Sequence, residues 1–475
     1  MKVYRILLAV LIGLAMALAQ PYLGTAFISD SVDQVKAIAQ EITVLIPETN
    51  PESGKTANGS GFLIAKQGNT YTVLTANHVV CRDQSESCQQ PRPGLKVVTH
   101  DGQEHTLDFT TVKKLPEVDL AILQFNSNRN YKLAILANYD TNINSEREVQ
   151  LPNGQIVQEY GHFVFASGWP GINNRDITEL KYRFSVGRLL PENKMVGFRI
   201  RPVAEGYQAV YTSITYPGMS GGPVLDTDGR VIAVHGQNEG ERVSNEGASG
   251  NERVLIGYSL SIPISKFLNL APQVSIPLNN VTIQTNPARA LNQDDIEAIG
   301  AEFVLAGMQE QTAAQPNSAV YWANQGNQYW RALRPPQALE AYEKAIEIDS
   351  EFYPVWYGKG LVKTFQAKYD EAFVNYNKAI TILDNQIAQF PRETERQDRR
   401  EWVVKLRDQI QPLMANSPTA PTTPTVNSPS PPTQSESTVQ PSPSSPPPEP
   451  NITPPQPEPE TQPETQPETQ PGFLW

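Results

Sequence analysis

Apolar positions along this chain follow two regimes. From about residue 30 to 272 they come in short β-branched and aromatic runs, broken by Gly, Pro or Asn; from about 292 they take helical spacing. In the first regime Gly59-Ser60-Gly61-Phe62-Leu63-Ile64 and Tyr71 to Val80 flank the turn signal Gln67-Gly68-Asn69. This predicts a hairpin that delivers His78 to the mouth of a strand. An acid, Asp119, stands directly before the strand-like run Leu120-Ala121-Ile122-Leu123. Tyr182 to Leu190, Gln208 to Thr215 and Arg230 to His235 also read as strands. Many short strands with little helix agree with a barrel architecture.

The second regime follows a stretch, 273–291, that reads as a linker with room for one strand. Asn292-Gln293-Asp294-Asp295 then caps an amphipathic helix to about Glu310. Beyond it the sequence repeats itself: Trp322, Gly326, Ala338, Tyr342 and Ala345 recur as Trp356, Gly360, Ala372, Tyr376 and Ala379, each displaced by 34 residues. That period and pattern resemble tetratricopeptide repeats, which implies two repeats at about 319–352 and 353–386 within a helical module of 292–414. Pro335-Pro336 and Ala367-Lys368-Tyr369 mark the turn inside each repeat, and the helices near 293–310 and 393–413 serve as flanking caps. Arrays of this kind present a concave surface to a protein partner. The plainer alternative is packing on the rest of the chain, or a spacer. From residue 415 to 475 runs an acidic tail that holds 19 of the 41 prolines and no Lys or Arg, a composition that cannot form a core. It ends in Gly472-Phe473-Leu474-Trp475.

The chemistry concentrates in Pro217-Gly218-Met219-Ser220-Gly221-Gly222-Pro223. Three glycines permit a tight turn that can aim the N–H groups of Gly218 and Ser220 at one point, an oxyanion hole. Acyl transfer needs a hydroxyl nucleophile, an imidazole to take its proton and a carboxylate to orient the imidazole. His78, Asp119 and Ser220 supply these in the chain order His, Asp, Ser. Asp101 and Asp108 compete for the carboxylate role, but neither precedes a run like Leu-Ala-Ile-Leu. The segments Thr-Ala-Asn-His, Val-Asp-Leu-Ala-Ile-Leu and Gly-Met-Ser-Gly-Gly-Pro resemble the trypsin-like serine peptidases of bacteria, among them the HtrA-like and glutamyl endopeptidases. Phe165 to Pro170 and Gly257 to Pro263 extend the likeness, which covers residues 27–272.

The resemblance implies an all-β, chymotrypsin-like pair of six-stranded barrels with the triad in the cleft between them. It implies a serine endopeptidase acting through an acyl-enzyme on protein or peptide substrates, without a cofactor. Thr215 and His235, five residues before and fifteen after Ser220, stand at the offsets where glutamyl endopeptidases bind an acidic side chain in their S1 pocket. The likeness to those enzymes implies a preference for Glu at the cleaved bond. A competing reading gives His235 only a strand-end role. At the level of the whole chain the alternative is a catalytically silent scaffold built from a protease-like barrel and repeats.

Composition sets the compartment. Lys2 and Arg5 precede the apolar run Ile6 to Ala19, which ends in Ala17-Leu18-Ala19, so residues 1–19 read as a signal peptide. The run is short for a membrane span. The protein is therefore expected to be periplasmic or extracellular, with an uncleaved membrane anchor as runner-up. Export agrees with the cysteines: the only two, Cys81 and Cys88, lie in one polar loop after His78 and can close a small disulfide. A metal site is not expected, since two cysteines need further ligands and His100 and His105 flank an ordinary turn. A net charge of −12 argues against nucleic acid and anionic membrane surfaces as partners.

Overall fold

A computed structural model describes residues 30–49, 56–81, 92, 94–142, 145–150, 156–171, 181–199, 205–238, 241–244, 253–310, 317–392 and 394–414. The signal segment, Cys88 and the Pro-rich tail lie outside these residues. A helix, α1 (Asp30–Ile42), leads into β1 (Thr43–Thr49), β2 (Thr56–Gln67) and β3 (Thr70–Ala76). The expected hairpin is β2–β3, turning at Gly68 with φ +60°. One helical turn, α2 (Asn77–Val80), follows β3 and carries His78. With β4 (Lys96–Val98), β5 (Glu104–Lys114) and β6 (Leu120–Asn126) the first three strands close a six-stranded barrel in the order β1-β2-β3-β6-β5-β4. Tyr71, Val73, Leu123 and Phe125 fill it, all buried.

After β7 (Ile135–Ala137), the hairpin of β8 (Glu146–Gln150) and β9 (Ile156–Tyr160) leads to the second barrel. Its six strands are β10 (His162–Gly168), β11 (Arg183–Leu189), β12 (Ala209–Tyr211), β13 (Pro223–Leu225), β14 (Val231–Asn238) and β17 (Ser259–Pro263). They run β13-β10-β11-β12-β17-β14, and the β13–β14 pairing closes the ring. A short helix, α3 (Glu192–Met195), follows β11, and a further hairpin of β15 (Glu241–Ser244) and β16 (Arg253–Ile256) precedes β17. Sequence alone extends β12 to Thr215, but pairing stops at Tyr211. Thr212 instead accepts the Arg188 N–H at its hydroxyl (2.8 Å) and gives its own N–H to the Arg188 carbonyl (3.0 Å). The barrels meet through Thr43 and Ser167, whose hydroxyls lie 2.8 Å apart in the interior.

The stretch read as a linker is held in place. After α4 (Ile264–Leu270), β18 (Thr282–Gln284) pairs in parallel with β7, and Arg230, bonded to Asp226, donates to the Asn286 carbonyl at 2.9 Å. Among the described residues the C-terminal region is helical: α5 (Gln293–Glu310), α6 (Ala319–Arg331), α7 (Pro335–Ile348), α8 (Tyr353–Phe365), α9 (Tyr369–Gln389) and α10 (Thr394–Met414). The period of 34 has a physical counterpart here. Leu333 and Ala367, both left-handed at φ +54° and +58°, end the first helix of each pair. The N–H groups of Arg334 and Lys368 then reach back to the carbonyls of Tyr329 and Lys363 (2.8 and 2.9 Å), closing the same C-terminal cap twice. Gly326 and Gly360 let the helices approach, since a Cβ at either would lie 2.4 or 2.2 Å from the ring of Tyr342 or Tyr376.

These helices pack on the second barrel. Trp330, fully buried, stacks on Phe198 and donates its indole N–H to the Gly257 carbonyl at 2.9 Å. Arg331 donates to the Thr212 carbonyl (3.0 Å) while the Thr212 hydroxyl donates to the Arg331 carbonyl (2.7 Å). Burial of apolar side chains together with paired polar groups makes this a structural interface.

Candidate active site

Each barrel contributes one wall of the site. In the first, β3 and β6 pair with Ala76 opposite Leu120, which places His78 and Asp119 just beyond adjoining strand ends. The Asn77 N–H donates to the Asp119 carbonyl at 3.1 Å and fixes that junction. The Asp119 carboxylate then takes two bonds from His78: Oδ1 accepts the backbone N–H at 2.9 Å and Oδ2 lies 2.6 Å from Nδ1. The two competing acids are used in local turns. Asp101 accepts from Thr99 and Gln103 and pairs with Arg129, and Asp108 accepts from Thr110. Burial pushes the Asp119 carboxyl up, but its bonds to His78 and a hydroxyl donated by Tyr207 outweigh that and hold it below the ordinary carboxylate value. Asp119 is thus ionised and His78, with a side chain 44% exposed, is open to the cleft.

Ser220 arrives from the second barrel. Its loop needs glycine where the backbone turns left-handed: Gly218 has φ +95° and Gly221 φ +86°. A Cβ at 218 would lie 2.3 Å from the Gly171 nitrogen, and one at 221 only 2.1 Å from the Ser60 carbonyl. Ser60 braces the loop from the first barrel, a role its place in Gly-Ser-Gly does not announce. Its N–H donates to the Ser220 carbonyl (2.8 Å), its hydroxyl donates to the Gly218 carbonyl (2.9 Å), and the same oxygen accepts the Trp169 N–H (2.9 Å). The Ser220 hydroxyl donates to the Gly236 carbonyl at 3.0 Å, one residue beyond His235.

Thr215 and His235 are both buried, and two residues to which the sequence assigned no site role link them. Thr215 Oγ1 lies 2.7 Å from Ser259 Oγ, Ser259 pairs across the sheet with Tyr211, and the Tyr211 hydroxyl lies 2.7 Å from His235 Nδ1. Burial, helped by the nearby charge of His78, pushes the His235 imidazole down to about 3. The imidazole is therefore neutral. Cys81, buried at the end of α2, lies just past His78.

The fold and this arrangement define a class: two chymotrypsin-like barrels with a buried, ionised aspartate behind a histidine and a serine on a glycine-built loop. Residues 59–234 match the family model of the trypsin-like peptidase domain. The serine protease Do-like HtrA of Bacillus subtilis (strain 168) is 23% identical over 272 residues, 54% of this chain. The match covers 51% of that protein, so this chain spans about half the length of its relative.

Proposed function

We propose that this protein is a serine endopeptidase, exported from the cytoplasm, in which Ser220 attacks the scissile carbonyl. His78 takes the Ser220 proton and returns it to the leaving amine, Asp119 orients His78 and balances the imidazolium, and the N–H groups of Gly218 and Ser220 receive the oxyanion. The acyl-enzyme on Ser220 is then hydrolysed by water through the same histidine. The observation that carries this reading is Asp119: an ionised, largely buried carboxylate bonded twice to one exposed histidine is the arrangement that orients an imidazole as a general base.

Three finer readings belong to the same proposal. Thr215 and His235 form an acidic-side-chain pocket that favours Glu at the cleaved bond, supported by their linkage through Ser259 and Tyr211. The helix pairs are tetratricopeptide repeats that bind a protein partner or substrate, supported by the duplicated caps at Leu333 and Ala367. Export rests on the signal-like segment 1–19 and on the similarity to a Do-like HtrA protease, and it goes with a disulfide between Cys81 and Cys88.

The deciding experiment treats the full-length protein and Ser220→Ala with a fluorophosphonate probe and a peptide library. Wild type is expected to label and cleave, and the variant to lose labelling and several orders of magnitude in turnover. Equal turnover in the two would remove the assignment. A wild-type protein that neither labels nor cleaves would favour the silent scaffold.

A further inference from the structure

Asp119 has a third donor, and it comes from the opposite barrel. The Tyr207 hydroxyl donates to Asp119 Oδ2 at 2.5 Å, the oxygen that also faces His78 Nδ1 at 2.6 Å, while Oδ1 is taken by the His78 N–H. Tyr207 is 1% exposed, so substrate does not reach its ring. Just upstream, the Asp119 N–H donates to the Glu205 carbonyl at 3.1 Å, so the segment carrying Tyr207 is anchored to the aspartate's own backbone. We propose that Tyr207 is a positioning residue of the catalytic apparatus: by fixing Asp119 Oδ2 from the second barrel, it sets the orientation in which Asp119 presents itself to His78.

The space for this tyrosine is made by a glycine. A Cβ on Gly236 would lie 2.2 Å from both Cε1 and Oη of Tyr207, so any side chain there would drive the ring out. Gly236 is also the residue whose carbonyl accepts the Ser220 hydroxyl. One backbone position therefore touches both the tyrosine that holds the aspartate and the serine that is to be activated. The cleft lies between two barrels, and a carboxylate tethered to only one of them would keep its rotamer without registering the other. Tyr207 supplies that registration. A carboxylate whose Oδ2 is held from both barrels has less freedom to shift with one of them, and a misplacement of about 1 Å in a catalytic site can cost about a hundredfold in rate.

The proposal rests on the assignment of His78, Asp119 and Ser220 given above, and the test separates the two. Tyr207→Phe keeps the ring beside Gly236 and removes only the hydroxyl. A hydrogen bond to a charged group is worth roughly ten- to a hundredfold, so kcat is expected to fall by about that factor with KM changed less than about twofold. Because Tyr207 acts through Asp119, the same substitution in an Asp119→Asn background should have almost no further effect. Tyr207→Met, which also lacks the donor and leaves Gly236 intact, should reproduce the kcat loss. An unchanged kcat in Tyr207→Phe, or an equal further loss on top of Asp119→Asn, would overturn the proposal. If Asp119→Asn itself keeps full activity, the triad assignment falls, and Tyr207 with it. Should Tyr207→Phe fail to fold, the Tyr207→Met pair with and without Asp119→Asn carries the same decision.

Discussion

His235 is neutral because burial and the nearby charge of His78 outweigh the backbone hydrogen bond at Leu260 that favours the charged imidazole. Burial holds its imidazole down to about 3, against about 6.5 in an unfolded chain. The unfolded state therefore takes up a proton that the folded state refuses, and stability is present above pH ~6.5 and lost as pH falls toward 3, at about 1.4 kcal/mol for each pH unit. His235→Gln should flatten that slope between pH 6.5 and 4 in chemical denaturation. An unchanged slope would mean that His235 is protonated in the fold. The same linkage bears on specificity. A Glu side chain entering the proposed pocket brings the missing counter-charge, so the rate advantage of Glu over Gln peptides should grow as pH drops from 8 to 5. His235→Ala should erase most of that advantage, about one to two decades. A wild-type profile centred on Val, Ala or Leu would discard the acidic pocket and leave the triad untouched.

Among the elements, the last turn of α6 is one that joins the helices to the second barrel. Trp330 fills the space between Phe198 and Gly257, and Arg331 and Thr212 exchange hydrogen bonds three residues before Thr215. Trp330→Ala should cost about 3–5 kcal/mol, read as a lowered denaturant midpoint. A loss under about 1 kcal/mol would show that the interface contributes little. The loop after α2 carries a separate expectation. A Cys81–Cys88 disulfide closes so short a loop that its stabilisation is modest, on the order of 2 kcal/mol in the chain-entropy picture. Two titratable thiols in denatured protein from an oxidising compartment would contradict it. Element identity was largely legible beforehand: β2–β3, β11 and β14 are written in β-branched runs around turn residues, and the helix pairs in a 34-residue repeat. Where the reading overran, at Thr212–Thr215, the β11–β12 pairing ends at Leu189 and Tyr211, and the next carbonyl, that of Thr212, takes the guanidinium of Arg331, far along the chain.

At the scale of the whole molecule, the helical region is part of the folded body formed with the barrels. Cutting the chain near Pro272 would uncover Phe198, Tyr258 and Gly257 on the second barrel, surface now covered by Trp330. Such a truncated protein is expected to bind a hydrophobic dye and to melt at lower temperature than the full chain. A soluble truncated form with unchanged melting and peptide turnover would assign the helices to partner binding alone. What the sequence determined by itself is whatever short-range pattern encodes: strand and helix periodicity, the glycine-built serine loop, and a histidine and an aspartate each set beside a strand. The tertiary structure alone decided that Ser60 braces the serine loop, that Ser259 and Tyr211 link Thr215 to His235, and that Tyr207 caps Asp119 in the space Gly236 leaves. These are contacts between residues tens of positions apart, some made as the second barrel closes and others only where the two barrels meet, and no local pattern of hydrophobic and polar residues records which side chains will face each other.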